Sequence, residues 1–130
     1  MSKDKNKIKL NSKKKIIKQV EKIADKYSLE SNLCCLMEEC AELIHATNKY
    51  RRAKTKDPKM QKTSLSAKEA KEKMLEEMVD VERYMAAVKY QLKFSEDDIF
   101  DTMKPKVIRD TKRLPDKKDK DKKKHDKAKR

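Results

Sequence analysis

The chain contains no Gly and no Trp, only three Pro, and four Tyr and two Phe among 130 residues. Without Gly it cannot build the phosphate cradles of P-loop or Rossmann proteins, whose glycines let backbone N–H groups approach the ligand. No alternating Val/Ile/Thr run bounded by turn residues is present, so strands are not expected. Cys34, Cys35 and Cys40 form no CxxC pair and crowd into one expected helix. That disfavours a disulfide framework or a zinc site and predicts buried, reduced thiols. No apolar run reaches the length of a membrane-spanning helix. The Lys-rich start has no signal-peptide core, since Ile16-Ile17 is too short. The expectation is a cytoplasmic all-α protein with no membrane partner, large enough for one domain but not two.

Charge is abundant, with 46% Asp, Glu, Lys and Arg and a formal net charge of +14. Its distribution is uneven. Residues 1–15 and 116–130 supply +6 and +5 of that total and offer almost nothing to bury. These ends read as disordered, solvated segments, with weak and salt-sensitive nucleic-acid contact as their functional alternative. The organisation read from the sequence is a basic segment over 1–12, a helical domain over 13–115 and a Lys-rich tail over 116–130.

Apolar periodicity predicts four helices within that domain. The first runs from about Lys13 to Lys26, with Ile16, Ile17, Val20, Ile23 and Ala24 as its buried stripe. Ser28 caps a second, whose core face is Leu33, Leu36, Met37, Cys40, Leu43 and Ile44 and which fades near Tyr50-Arg51-Arg52. A polar linker turns at Asp57-Pro58. Ser66-Ala67-Lys68-Glu69 has capping-box spacing and opens a third helix, through Met74, Met78, Val81, Met85 and Val88 to about Leu92. Ser95 with Asp98 opens a fourth, burying Ile99, Phe100, Met103 and Val107, and Pro105 should kink or end it. Four such helices make a thin core, which a second copy of the chain would complete.

Two carboxylate clusters interrupt the apolar stretches: Glu38-Glu39-Cys40-Ala41-Glu42 and Glu76-Glu77-Met78-Val79-Asp80. Positions three apart share a helix face, so Glu39 projects with Glu42 and Glu77 with Asp80. No Lys or Arg stands four residues from Glu39 or Glu42, although the chain is rich in both. A solvated acidic face is the ordinary alternative. Yet carboxylates placed among apolar residues are costly unless a cation compensates them. If helices two and three pack side by side, the four converge into an oxygen-only nest suited to Mg²⁺, with Mn²⁺ as a substitute.

Together, in this order, the two clusters resemble the EExxE…ExxD signature of the MazG-like all-α nucleoside triphosphate pyrophosphohydrolases. The resemblance spans roughly Leu29 to Pro115 and includes Lys106-Val107-Ile108-Arg109-Asp110-Thr111-Lys112-Arg113-Leu114-Pro115, similar to the family's closing KxxxNxxRxP-like stretch. It departs from the family at Asp110, where Asn is usual, and at Val81-Glu82-Arg83-Tyr84, which is more polar than the usual aliphatic run. The resemblance implies a four-helix bundle completed by homo-oligomerisation, as a homodimer or homotetramer. It implies Glu39, Glu42, Glu77 and Asp80 as Mg²⁺ ligands, supported by Glu38 and Glu76, and hydrolysis of a (deoxy)nucleoside triphosphate to monophosphate and pyrophosphate. Either Glu38 or Glu76 is the candidate to take a proton from the attacking water.

Lys106, Arg109 and Arg113 fall at three- and four-residue steps and form a candidate basic stripe for the triphosphate. A solvated basic helix end reads equally well. Lys49, Arg51 and Arg52 carry the same two readings. His45, one turn after Glu42, reads as a surface or packing histidine before a site residue. Tyr84, one turn past Asp80, reads first as a packing residue and second as a stacking partner for a base. The rival functions are a dUTP- or dCTP-specific or phosphoribosyl-ATP pyrophosphohydrolase of the same superfamily, and a non-catalytic basic helical module that holds nucleic acid.

Overall fold

The computed structural model describes residues 9–115 together with Ala128. The expected disorder of the basic N-terminal segment and of the 116–130 tail therefore lies almost wholly outside the described residues. Between residues 9 and 115 four helices form in chain order: α1 (Lys13–Ala24), α2 (Leu29–Lys54), α3 (Ala67–Gln91) and α4 (Glu96–Lys112). There is no strand among the described residues. The chain is all-α.

Serine starts each of these four helices. Ser12, Ser28, Ser66 and Ser95 each accept a hydrogen bond from the backbone N–H three residues on, which satisfies a donor the helix itself cannot. Two of these starts are reciprocal boxes. Glu69 Oε2 accepts from the Ser66 N–H at 2.9 Å, and Asp98 Oδ2 from the Ser95 N–H at 2.8 Å. The hydrogen bonds from the Ser95 backbone and hydroxyl hold the Asp98 carboxyl below its ordinary value.

One compact unit ends at Lys93 and a second begins at Phe94. In the first, α3 packs against both α2 and α1. The α2/α3 pair is antiparallel: Asn32, early in α2, donates to Gln91 at the end of α3 at 2.9 Å. The core is built from small residues. Val20, Ala24 and Ala87 cluster where α1 meets α3, and Ala46, Ala70, Val81 and Val88 are buried elsewhere along the helices. Small side chains allow close helix approach, and that proximity brings opposing polar groups within reach of one another.

Between α2 and α3 the linker is pinned by Arg52. Its Nε and Nη2 donate to the carbonyls of Gln61 and Lys62 at 2.8 and 2.7 Å. After α3 the chain turns through Lys93, whose φ of 59° is the left-handed conformation that glycine normally supplies at a helix end. With no Gly in the chain, a lysine takes it.

Apolar periodicity overstated the burial. Ile16, Ile17 and Ile23 of the expected α1 stripe are exposed, as are Leu33, Met37, Cys40 and Ile44 of α2. Within this unit α1 packs chiefly on α3, and Ile16, Ile17 and Ile23 of its stripe stay uncovered. The thiols are free, as expected, but Cys34 and Cys40 are exposed and Cys35 is half-buried. In the second unit α4 buries no residue; Ile99 is half-buried, and Phe100, Met103 and Val107 are exposed. Pro105 does not end the helix, since α4 runs on to Lys112, leaving the Asp101 carbonyl without its usual helical donor.

Candidate metal centre

The antiparallel register sets part of the first carboxylate cluster opposite the second. Glu39 from α2 and Glu77 and Asp80 from α3 each bring one carboxylate oxygen within 4.8 Å of the others, and all three are half-buried. Glu77 and Asp80 are three apart and share a face of α3, while Glu39 reaches them from the neighbouring helix. Loss of water around Glu39, then repulsion from Asp80 and Glu77, raise its carboxyl above the ordinary value, with Arg83 opposing. Partial loss of water thus disfavours the charged Glu39 first, and the neighbouring carboxylates add to it.

The donor set fits a hard divalent cation. All donors are oxygens, and opposite ligands around Mg²⁺ lie about 4.2 Å apart, twice its bond length.

The remaining site candidates are placed differently. Glu42 is exposed and is not part of the trio. Glu38 is exposed, and Glu76 is exposed with its Oε2 3.5 Å from Lys73 Nζ, a contact too open to solvent to hold it firmly. His45, Lys49 and Arg51 are exposed on α2. Arg52 is committed to the linker carbonyls, which gives it a structural role in place of the phosphate-binding one considered for it. Lys106 and Arg109 lie on α4 and Arg113 is its C-cap, all three belonging to the second unit. Arg109 Nε lies 3.1 Å and Arg113 Nη1 3.9 Å from Asp110 Oδ1, so both guanidiniums share one exposed carboxylate.

One neighbour of the trio, Arg83, was given no role by the sequence. Arg83 Nη2 donates to Asp80 Oδ1 at 3.1 Å, and its guanidinium carbon lies 5.0 Å from the centre of the Tyr84 ring. A hydrogen bond with the Cys35 thiol, followed by loss of water, pushes the Tyr84 phenol above its ordinary value. The spacing from Asp80 to Arg83 was the available signal, because i,i+3 pairs of opposite charge meet on a helix. Compared with known protein families, curated proteins and solved structures, the chain matches none.

The raised Glu39 carboxyl sets a pH dependence. A carboxyl whose folded pKa exceeds its unfolded one binds more protons when folded, so it lowers stability as pH rises through that interval. The metal-free protein should therefore lose stability from the ordinary glutamate range upward until Glu39 is fully ionised. Thermal melts of wild type and Glu39→Gln across acidic to neutral pH measure this. The variant's melting temperature should fall less over the interval, and parallel curves would show that Glu39 does not contribute.

Proposed function

We propose that the chain is a Mg²⁺-dependent, MazG-like nucleotide pyrophosphohydrolase that converts a (deoxy)nucleoside triphosphate and water to the monophosphate and pyrophosphate. The observation that carries this reading is the meeting of Glu39 with Glu77 and Asp80, contributed by separate helices. It is supported by the order of the two acidic motifs in the sequence. Glu39, Glu77 and Asp80 would hold Mg²⁺, or Mn²⁺ in its place, and Glu42 at the next turn of α2 would complete the set on binding. A divalent cation here offsets the polyphosphate charge and acidifies a bound water. The exposed Glu38 or Glu76 accepts the proton of the attacking water, and the half-buried trio fixes the position of the phosphate chain against it.

A self-associating subunit belongs to the same proposal. Met37, Ile44, Leu75, Met78 and Val79 of α2 and α3 are between 46% and 67% exposed, large apolar side chains that one copy of the chain leaves to water. A homodimer or homotetramer would cover it.

The test is a panel of ribo- and deoxynucleoside triphosphates with Mg²⁺, scored for pyrophosphate and for monophosphate. At least one nucleotide should yield both in equal amounts, and chelation should stop the reaction. Orthophosphate as the released product, or no turnover of any nucleotide, would end this reading. Steeply salt-dependent nucleic-acid binding without turnover would favour the basic binding module instead.

A further inference from the structure

Three converging carboxylates favour positive charge nearby, and the protein carries one beside them. The Arg83 guanidinium bonds the Asp80 carboxylate at 3.1 Å and lies over the adjacent Tyr84 ring, an attractive arrangement for a cation. The pair is open to solvent, with Arg83 50% and Asp80 37% exposed. Such an ion pair is weak. It is therefore readily exchanged for a divalent cation held by three carboxylates.

A guanidinium and a divalent cation on the same carboxylate repel each other, so the two compete for Asp80. Displacement leaves Arg83 on the same turn of α3, tethered one side-chain length from the metal ligands. Phosphate oxygens gathered at the metal would then be its nearest anions, and the planar fork of arginine matches a phosphate through two parallel N–H donors. We propose that Arg83 is the resident counter-ion of the carboxylate centre and becomes a substrate-binding residue, gripping the phosphate chain once a divalent cation has taken Asp80. This inference rests on the metal-site reading above.

It requires two effects of opposite sign from one substitution. Arg83→Gln should bind Mn²⁺ about five-fold more tightly than wild type in the absence of phosphates, because no cation competes for Asp80. The same variant should bind tripolyphosphate about ten-fold more weakly at saturating Mg²⁺, having lost a charged double donor. Arg83→Lys keeps the charge without the fork and should fall between the two for tripolyphosphate. Free Mn²⁺ is followed by its electron paramagnetic resonance signal and tripolyphosphate by calorimetry. Circular dichroism checks that each variant is folded. If wild type binds Mn²⁺, Asp80→Asn does not, and Arg83→Gln shifts neither affinity, Arg83 has no such role while the metal site stands. If wild type fails to bind Mn²⁺ at all, the metal reading falls and takes this proposal with it.

Discussion

Glu77→Gln is expected to lower pyrophosphate release by about three orders of magnitude while leaving the melting temperature level or higher. The two effects have one origin. On the proposed reading each trio carboxylate would supply charge for a cation that contributes several kcal/mol to the reaction, and every 1.36 kcal/mol of barrier is tenfold in rate. Without the cation the same charges repel, as the raised Glu39 carboxyl indicates. Glutamine keeps the shape and removes the charge, so the apo fold is relieved while the reaction stops. Glu39→Gln and Asp80→Asn should behave alike, with circular dichroism unchanged in all three. Glu42→Gln is the informative companion, because Glu42 stands outside the trio. An equal loss identifies it as a fourth ligand recruited on binding, and a small loss restricts the centre to three. Full activity in any two of the trio variants would remove the metal centre from consideration.

The largest stability effect should come from Asn32, which is only 4% exposed. Its amide donates to Gln91 Oε1 at 2.9 Å and to the Ala24 carbonyl at 3.4 Å. Gln91 Nε2 in turn donates to the carbonyls of Ala24 and Tyr27 at 3.0 and 3.1 Å. This network ties the α1–α2 turn to the end of α3, and so fixes how far α2 slides along α3. That setting determines whether Glu39 faces Glu77 and Asp80. Asn32→Ala strands part of the network, at a cost of about 2 kcal/mol, and for a chain of this size the melting temperature should fall by about 10 °C. Gln91→Ala should cost a similar amount, and the double variant less than their sum, since the two residues share one network. Strict additivity in denaturant melts would show that they do not act together.

The helix starts were legible in the sequence because their causes are local. Ser66 with Glu69 and Ser95 with Asp98 sit within four residues of each other, and the structure forms both boxes as read. The ends were less so: α2 runs beyond Tyr50 to Lys54, and α1 stops at Ala24. Burial was legible only as a demand. The spacing of Ile16, Ile17 and Ile23 says which face seeks cover, and one copy of the chain leaves that face exposed. Within the acidic motifs, spacing placed Glu39 and Glu42 on neighbouring positions of one face. It could not say that one of them alone would meet the opposite helix, because that depends on the height set by Asn32 and Gln91. Those two are far apart in the chain, and neither carries a local pattern that marks it.

Lys93, held at a φ of 59°, shows what a chain without glycine accepts in the folded state. The corresponding benefit belongs to the unfolded one. Glycine is the residue with the most backbone freedom to lose on folding, and replacing it with other residues where geometry permits stabilises proteins by restricting the denatured ensemble. This chain has made that restriction at every position. Its small-residue core starts from a less disordered competitor, and so less burial suffices to hold the carboxylate-bearing helices together. Among the described residues the left-handed lysine is the one position where this restriction works against the fold: there a side chain occupies backbone space that glycine fills without strain, at a cost of roughly 1 kcal/mol.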